Sequence, residues 1–297
     1  MKTLSRWCAL VLLAGVLCTP AARAGELLLR YGSLQATAWA PDRAVGGRLP
    51  VLIFSHGFHG CDVQSRFLTQ GLANAGYLVF APNHRDAACH YGRSDWLEAA
   101  QQPLWRPDLW TASTYADRAA DVGALIAALH ADPRFRRRAD WSRLGLVGHS
   151  LGGYTALGLA GAWPRWKLPG VRAVLALAPY SLPFGLRGTL AGIAAPVMFE
   201  CGQSDFAITP MVDGALGSYA NAPRPKYYAE FANAGHLAWT DSDATAHRLI
   251  LAYSLAFLDH YVRGRPADPL LTHAARGVSA LDFDSELGRG AMRNSAP

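Results

Sequence analysis

The chain predicts an α/β fold, a mostly parallel central sheet with helices on both faces. Three observations carry this: short continuous apolar runs alternate with helical patterns, the runs end at turn residues, and only 17% of the residues are charged. Residues 49–54 (LPVLIF) read as a buried strand and 63–75 as a helix stopped by Gly76. Residues 77–81 read as the next strand, closed by Pro82, and 83–113 as a long loop with room for a short helical piece. A strong helix follows over 115–131, then a strand over 144–147 and a helix over 154–163. Strands are expected over 171–177, 196–200 and 226–231, and a last helix over about 244–262. At 297 residues one catalytic domain is expected, spanning 25–264, with 265–297 as a peripheral tail.

Residues 1–24 read as a secretory signal peptide: Lys2 and Arg6, an apolar run, then small residues at Ala22 and Ala24. Its removal lowers the formal charge from +6 to +3, so much of the basic balance is an export feature. A periplasmic or extracellular monomer is expected, with no later membrane span and no nucleic-acid partner. The basic cluster Arg134–Arg138 reads as a solvated loop. Cys61, Cys89 and Cys201 remain in an oxidising compartment, and Cys61 with Cys89 is the expected disulfide, since both follow predicted strands at one end of the sheet.

The chemistry concentrates in Gly148-His149-Ser150-Leu151-Gly152, a G-x-S-x-G turn between strand and helix. Such a turn lifts the serine hydroxyl out of the sheet above a helix N-terminus, and its glycines leave room for the crowded backbone. A serine hydroxyl needs a base, and the base needs an orienting acid. Asp205, after the strand PVMFE, and His236, after KYYAEF, supply them in the chain order Ser, Asp, His. Glu200 and Asp213 compete for the acid role and His247 for the base. The oxyanion donors are expected to be the amides of Leu151 and of Phe58 in Ser55-His56-Gly57-Phe58. His56, His59, Cys61, Cys89 and His90 form a weaker zinc alternative without metal-type spacing, so no metal or cofactor is expected. His84-Arg85-Asp86 imitates a kinase loop, but no other kinase motif accompanies it.

On the motifs SHGF, AGYLVFAPNHRD, GHSLGG, the aspartate after PVMFECGQ, and AGHLAW, the chain resembles bacterial relatives of platelet-activating-factor acetylhydrolase, grouped with predicted dienelactone hydrolases. The resemblance covers about 27–264 and implies an α/β-hydrolase fold and a Ser-His-Asp esterase without metal. True dienelactone hydrolases carry cysteine where Ser150 stands, so their ring-opening activity does not transfer. In motif order the chain also resembles secreted cutinase-type polyester hydrolases, more loosely. Between Pro179 and Ala195 there is too little chain for a cap domain. His149, Trp110, Tyr180 and Trp239, with Phe58 and Trp105, are therefore candidate substrate contacts in an open cleft; the aromatics could instead seal the core. The expected activity is carboxylic-ester hydrolysis through an acyl-enzyme, on small-molecule, lipid or polymeric esters. Polyester or phospholipid hydrolysis and peptidase activity are the rival enzyme readings.

Overall fold

The computed structural model describes residues 25–41, 47–88 and 99–294. Its strands are β1 (Gly25–Tyr31), β2 (Leu34–Ala40), β3 (Leu49–Ser55), β4 (Leu78–Pro82), β5 (Ala139–His149), β6 (Val171–Leu177), β7 (Val197–Gly202), β8 (Lys226–Phe231), β9 (Val278–Ser285) and β10 (Gly288–Arg293). The helices are α1 (Arg66–Asn74), α2 (Ala116–Ala131), α3 (Leu151–Leu157), α4 (Leu182–Arg187), α5 (Thr209–Asp213), α6 (Ser218–Asn221) and α7 (His247–Tyr261). The strands form a single sheet in the order β1-β2-β4-β3-β5-β6-β7-β8-β9-β10. The stretch from β4 to β8 is parallel, and an antiparallel hairpin closes each edge.

Every residue of β3 is buried because both sheet faces are covered. Successive side chains point to opposite faces. Val51 and Ile53 accordingly join the core with Val122 and Leu125 of α2 and Tyr154 of α3, while Leu52 and Phe54 join the core with Leu68 of α1 and Ile250 and Phe257 of α7. Burying each such side chain stabilises the fold by ~1.5–3 kcal/mol. The parallel strands all end at one edge, so the loops after β3, β5, β7 and β8 converge there, where open α/β sheets bind ligands.

Two expectations need correction, and two features add to the sequence reading. The segment beyond Gly264 is not a tail: β9 is buried along its whole length and pairs with β8, and β10 covers its outer edge. Its Asp residues alternate with apolar ones and are paired by Arg289 and Arg293, so weak overall hydropathy hid a strand. The first hairpin, β1 and β2, went unread because β1 is largely exposed. The helix after Ser150 begins at once, at Leu151, and widens into a π-type turn at Gly158–Ala162. Within the long loop, 99–113 is held in place by side-chain hydrogen bonds and includes a 3-10 turn at Pro107–Leu109. Residues 1–24, Cys89 and His90 lie outside the described residues, so the signal peptide and the Cys61–Cys89 pairing do too. Among the described residues no helix is long and apolar enough to cross a membrane.

Candidate active site

Ser150 sits between β5 and α3 with φ 55°, in the left-handed half of backbone space that L-residues seldom occupy. The surroundings enforce that turn. The Ser150 amide donates to Leu177 O, and the amides of Gly153 and Tyr180 donate to Ser150 O. A side chain on Gly148 would reach within 2.1 Å of Gly152 O, and one on Gly152 within 1.9 Å of Ser55 O. Only glycine fits either position. The turn thus follows from close contact among three parallel elements.

Asp205 and His236 occupy the turns after β7 and β8, which are tied together by the Ser204 amide donating to Ala234 O at 2.9 Å. His236 Nδ1 lies 2.6 Å from Asp205 Oδ2, and its Nε2 lies 3.0 Å from Ser150 Oγ. An ionised Asp205 selects the tautomer with the proton on Nδ1, which leaves Nε2 to accept from the serine hydroxyl. Burial opposes the charge on Asp205, but the hydrogen bond and positive potential of His236 and the amides of Ile208 and Ala207 together hold its carboxyl below the ordinary range. The rivals are engaged elsewhere. Glu200 is buried and accepts from Trp239 Nε1 and Ser254 Oγ, Asp213 pairs with Arg293, and His247 stacks on Phe67.

The loop 55–60 closes the opposite side. Leu151 is the first residue of α3, so its amide has no acceptor within the helix. Among the described residues no acceptor takes the Phe58 amide either. Phe58, His59, Gln64, His149, Ser150, His236 and Leu237 are among the residues lining one cleft of about 340 Å³.

The four expected substrate contacts do not form a set. Trp110 and Trp239 are fully buried and Tyr180 nearly so. Trp110 Nε1 donates to Pro103 O, Tyr180 Oη donates to Leu104 O, and Trp239 Nε1 donates to Glu200, so these rings seal the core and fasten the 99–113 segment instead of lining the cleft. A tryptophan in a loop pattern carries no sign of which way it faces. His149 borders the cleft but is almost wholly buried; its Nε2 donates to His236 O and its Nδ1 accepts from Gln64 Nε2. Gln64 also accepts the Gly57 amide at 3.1 Å, a link between loop and base that local spacing does not reveal. Leu237, next to His236, lines the cleft and is exposed, and Phe206, next to Asp205 in sequence, is exposed too. In the zinc alternative, His56 is committed on both nitrogens, to Gly57 O and to the His84 amide.

Two family matches divide most of the chain between them. Platelet-activating factor acetylhydrolase, isoform II, matches residues 15–106, which contain β3 and the Phe58 loop. The PET hydrolase-like family matches residues 111–267, more than half of the chain, and this stretch contains Ser150, Asp205 and His236. The chain therefore belongs to the PET hydrolase-like family of α/β-hydrolases, and its two matches identify it as a serine hydrolase of ester or lipid substrates.

Proposed function

We propose that the protein is an exported carboxylic-ester hydrolase in which Ser150 is the nucleophile, His236 the general base and Asp205 its orienting acid. The observation that carries this is the continuous chain from Asp205 Oδ2 to His236 at 2.6 Å and on to Ser150 Oγ at 3.0 Å. In acylation, Ser150 Oγ attacks the ester carbonyl while its proton passes to His236 Nε2. The imidazolium returns that proton to the departing alcohol, and water repeats the sequence to release the acid. Asp205 stabilises the charged ring without taking its proton. The amides of Phe58 and Leu151 receive the developing oxyanion.

An apolar substrate is favoured because Phe206 is 84% exposed and Leu237 54% exposed, each adjacent in sequence to a member of the proposed triad. This supports longer-chain lipid or polyester bonds as substrates alongside small monoesters. The export assignment rests on the leader pattern of residues 1–24, and the compartment it implies would let Cys61 pair with Cys89.

The test is hydrolysis of p-nitrophenyl esters from acetate to palmitate, and of an insoluble polyester film, by the mature protein and its Ser150→Ala variant. Ser150-dependent cleavage is expected, with activity extending to long chains. Equal rates for the parent and Ser150→Ala would remove the nucleophile assignment.

A further inference from the structure

Beneath the Phe58 loop lies a largely buried polar cluster that the triad does not use. Arg118, on α2, is 0% exposed. It pairs with Asp86 through Nε at 3.0 Å and Nη2 at 2.6 Å. Its remaining N–H groups go to the strand end and loop: Nη1 donates to His56 O at 2.7 Å and to Ser55 Oγ at 3.4 Å, and Nη2 donates to Gly57 O at 3.2 Å. A buried arginine is retained only with such complete pairing, and losing a partner leaves an uncompensated charge.

The proton positions follow in sequence. His56 Nε2 accepts from the His84 amide, so its Nδ1 carries the proton and donates to Gly57 O at 2.7 Å. Arg118 Nη1 lies 3.4 Å from Ser55 Oγ, which donates to His84 Nε2 at 2.9 Å, leaving His84 Nδ1 to donate to Asp121 at 2.9 Å. Burial keeps both imidazoles neutral, as these roles require.

The geometry bears on one peptide unit. Gly57 O receives Arg118 Nη2, His56 Nδ1 and the Gly60 amide. In a planar trans peptide the C=O and N–H point in opposite directions, so anchoring Gly57 O on the Arg118 side turns the Phe58 N–H away from it. The opposite side is the reacting one, since a Cβ on Gly57 would lie 3.4 Å from Ser150 Cβ. The preceding peptide is fixed at both ends, its oxygen by Arg118 and its N–H by Gln64 Oε1 at 3.1 Å.

We propose that Arg118 is a positioning residue of the esterase reaction: held by Asp86, it clamps the His56 and Gly57 carbonyls and thereby aims the Phe58 amide at the oxyanion. This rests on the reading of Ser150 as nucleophile and Phe58 as donor. The His84-Arg85-Asp86 segment then has a role, since it delivers His84 and Asp86 to the clamp.

The test is the rate ratio between a p-nitrophenyl ester and its thiono analogue, whose sulfur fits an oxygen-sized donor pair poorly. It is measured for the full mature chain, Arg118→Lys, Arg118→Met and Asp86→Asn, with thermal stability recorded for each. A loss of folded protein lowers both rates together and leaves the ratio unmoved, so the ratio reads donor alignment even in a partly folded preparation. The proposal expects kcat on the oxygen ester to fall by about 10- to 100-fold with KM little changed, below the full cost of deleting a donor. It also expects the ratio to fall by about tenfold, with Arg118→Lys and Asp86→Asn less affected than Arg118→Met. Variants that keep the parent ratio overturn it. Ser150→Ala run alongside separates the two claims: ester cleavage independent of Ser150 overturns the nucleophile reading, whereas Ser150-dependent cleavage with an unmoved ratio overturns only the role of Arg118.

Discussion

His149 Nε2 donates to the backbone carbonyl of His236 at 2.9 Å, so the residue just before Ser150 holds the loop of its proposed base. Burial, reinforced by the positive potential of His236, drives the His149 pKa down to about 3. The folded state therefore keeps it neutral while an unfolded chain would protonate it near about 6.5. The unfolded state binds more protons between these values, so this contribution to stability is complete above about 6.5 and is lost as pH falls through about 3. Replacing His149 with Gln should flatten the acid side of a stability–pH profile by about one proton, read from urea midpoints between pH 7 and 3. An unchanged slope would show that His149 does not control acid sensitivity. Catalysis should suffer too, with kcat down about tenfold as the His236 loop loosens.

Glu200 predicts the opposite slope. Burial pushes its carboxyl up to about 8, and the bonds from Trp239 and Ser254 only partly counter this. The folded state holds a proton that the unfolded chain gives up near 4.5, so stability from this group declines as pH rises through that interval. Glu200→Gln keeps the shape without the charge. It should stabilise the protein at pH 9 by an amount of the order of a few kcal/mol and change little at pH 4.5. Equal thermal midpoints for parent and variant at pH 9 would count against a protonated Glu200.

The backbone of Ser150 offers a third measurement. At φ 55° and ψ −117° an L-residue is strained, whereas glycine occupies such conformations freely. Ser150→Gly should be more stable than Ser150→Ala by about 1 kcal/mol, since both lose the hydroxyl and only one loses the strain. Denaturant unfolding of the two inactive variants decides it; equal stability would mean that the turn is relaxed.

The exposed pair Phe206 and Leu237, each next in sequence to a member of the proposed triad, gives a prediction on substrate. If Phe206 and Leu237 hold the apolar part of an ester, Phe206→Ser and Leu237→Ser should raise KM for long acyl chains by about 10-fold and leave acetate hydrolysis nearly unchanged, since one or two buried methylenes are worth ~1–3 kcal/mol. A parallel loss across all chain lengths would point to disturbance of the adjacent Asp205 and His236 instead.

Ser150, Asp205 and His236 were legible because each follows a short apolar run, and strand ends in a parallel sheet share one edge. The groups that hold the surrounding loops were harder to see, because they are tied by contacts far apart in sequence: Gln64 to His149, Arg118 to Gly57. Arg118 did leave a trace. It lies at helical spacing with Val122, Leu125 and Leu129, all buried on one face of α2, and a charge on an apolar face asks for a buried partner. Trp110, Tyr180 and Trp239 were misplaced for a related reason, since composition identifies large aromatic groups but not the direction they face.

The closing hairpin provides the last prediction. β9 covers the edge of β8, and its Leu281 and Ala280 pack into opposite cores. Deleting residues 278–297 would uncover a full row of β8 hydrogen-bonding groups and remove the outer neighbours of Tyr227 and Tyr228, both fully buried in the intact sheet. An exposed edge of that length invites pairing between molecules. The truncated chain should therefore elute as soluble aggregate or precipitate, whereas deletion of only residues 295–297 should give the parent's elution volume and thermal midpoint. A monomeric, stable truncation at 277 would mean that the parallel strands carry the fold without this edge, and the hairpin would then be a peripheral addition after all.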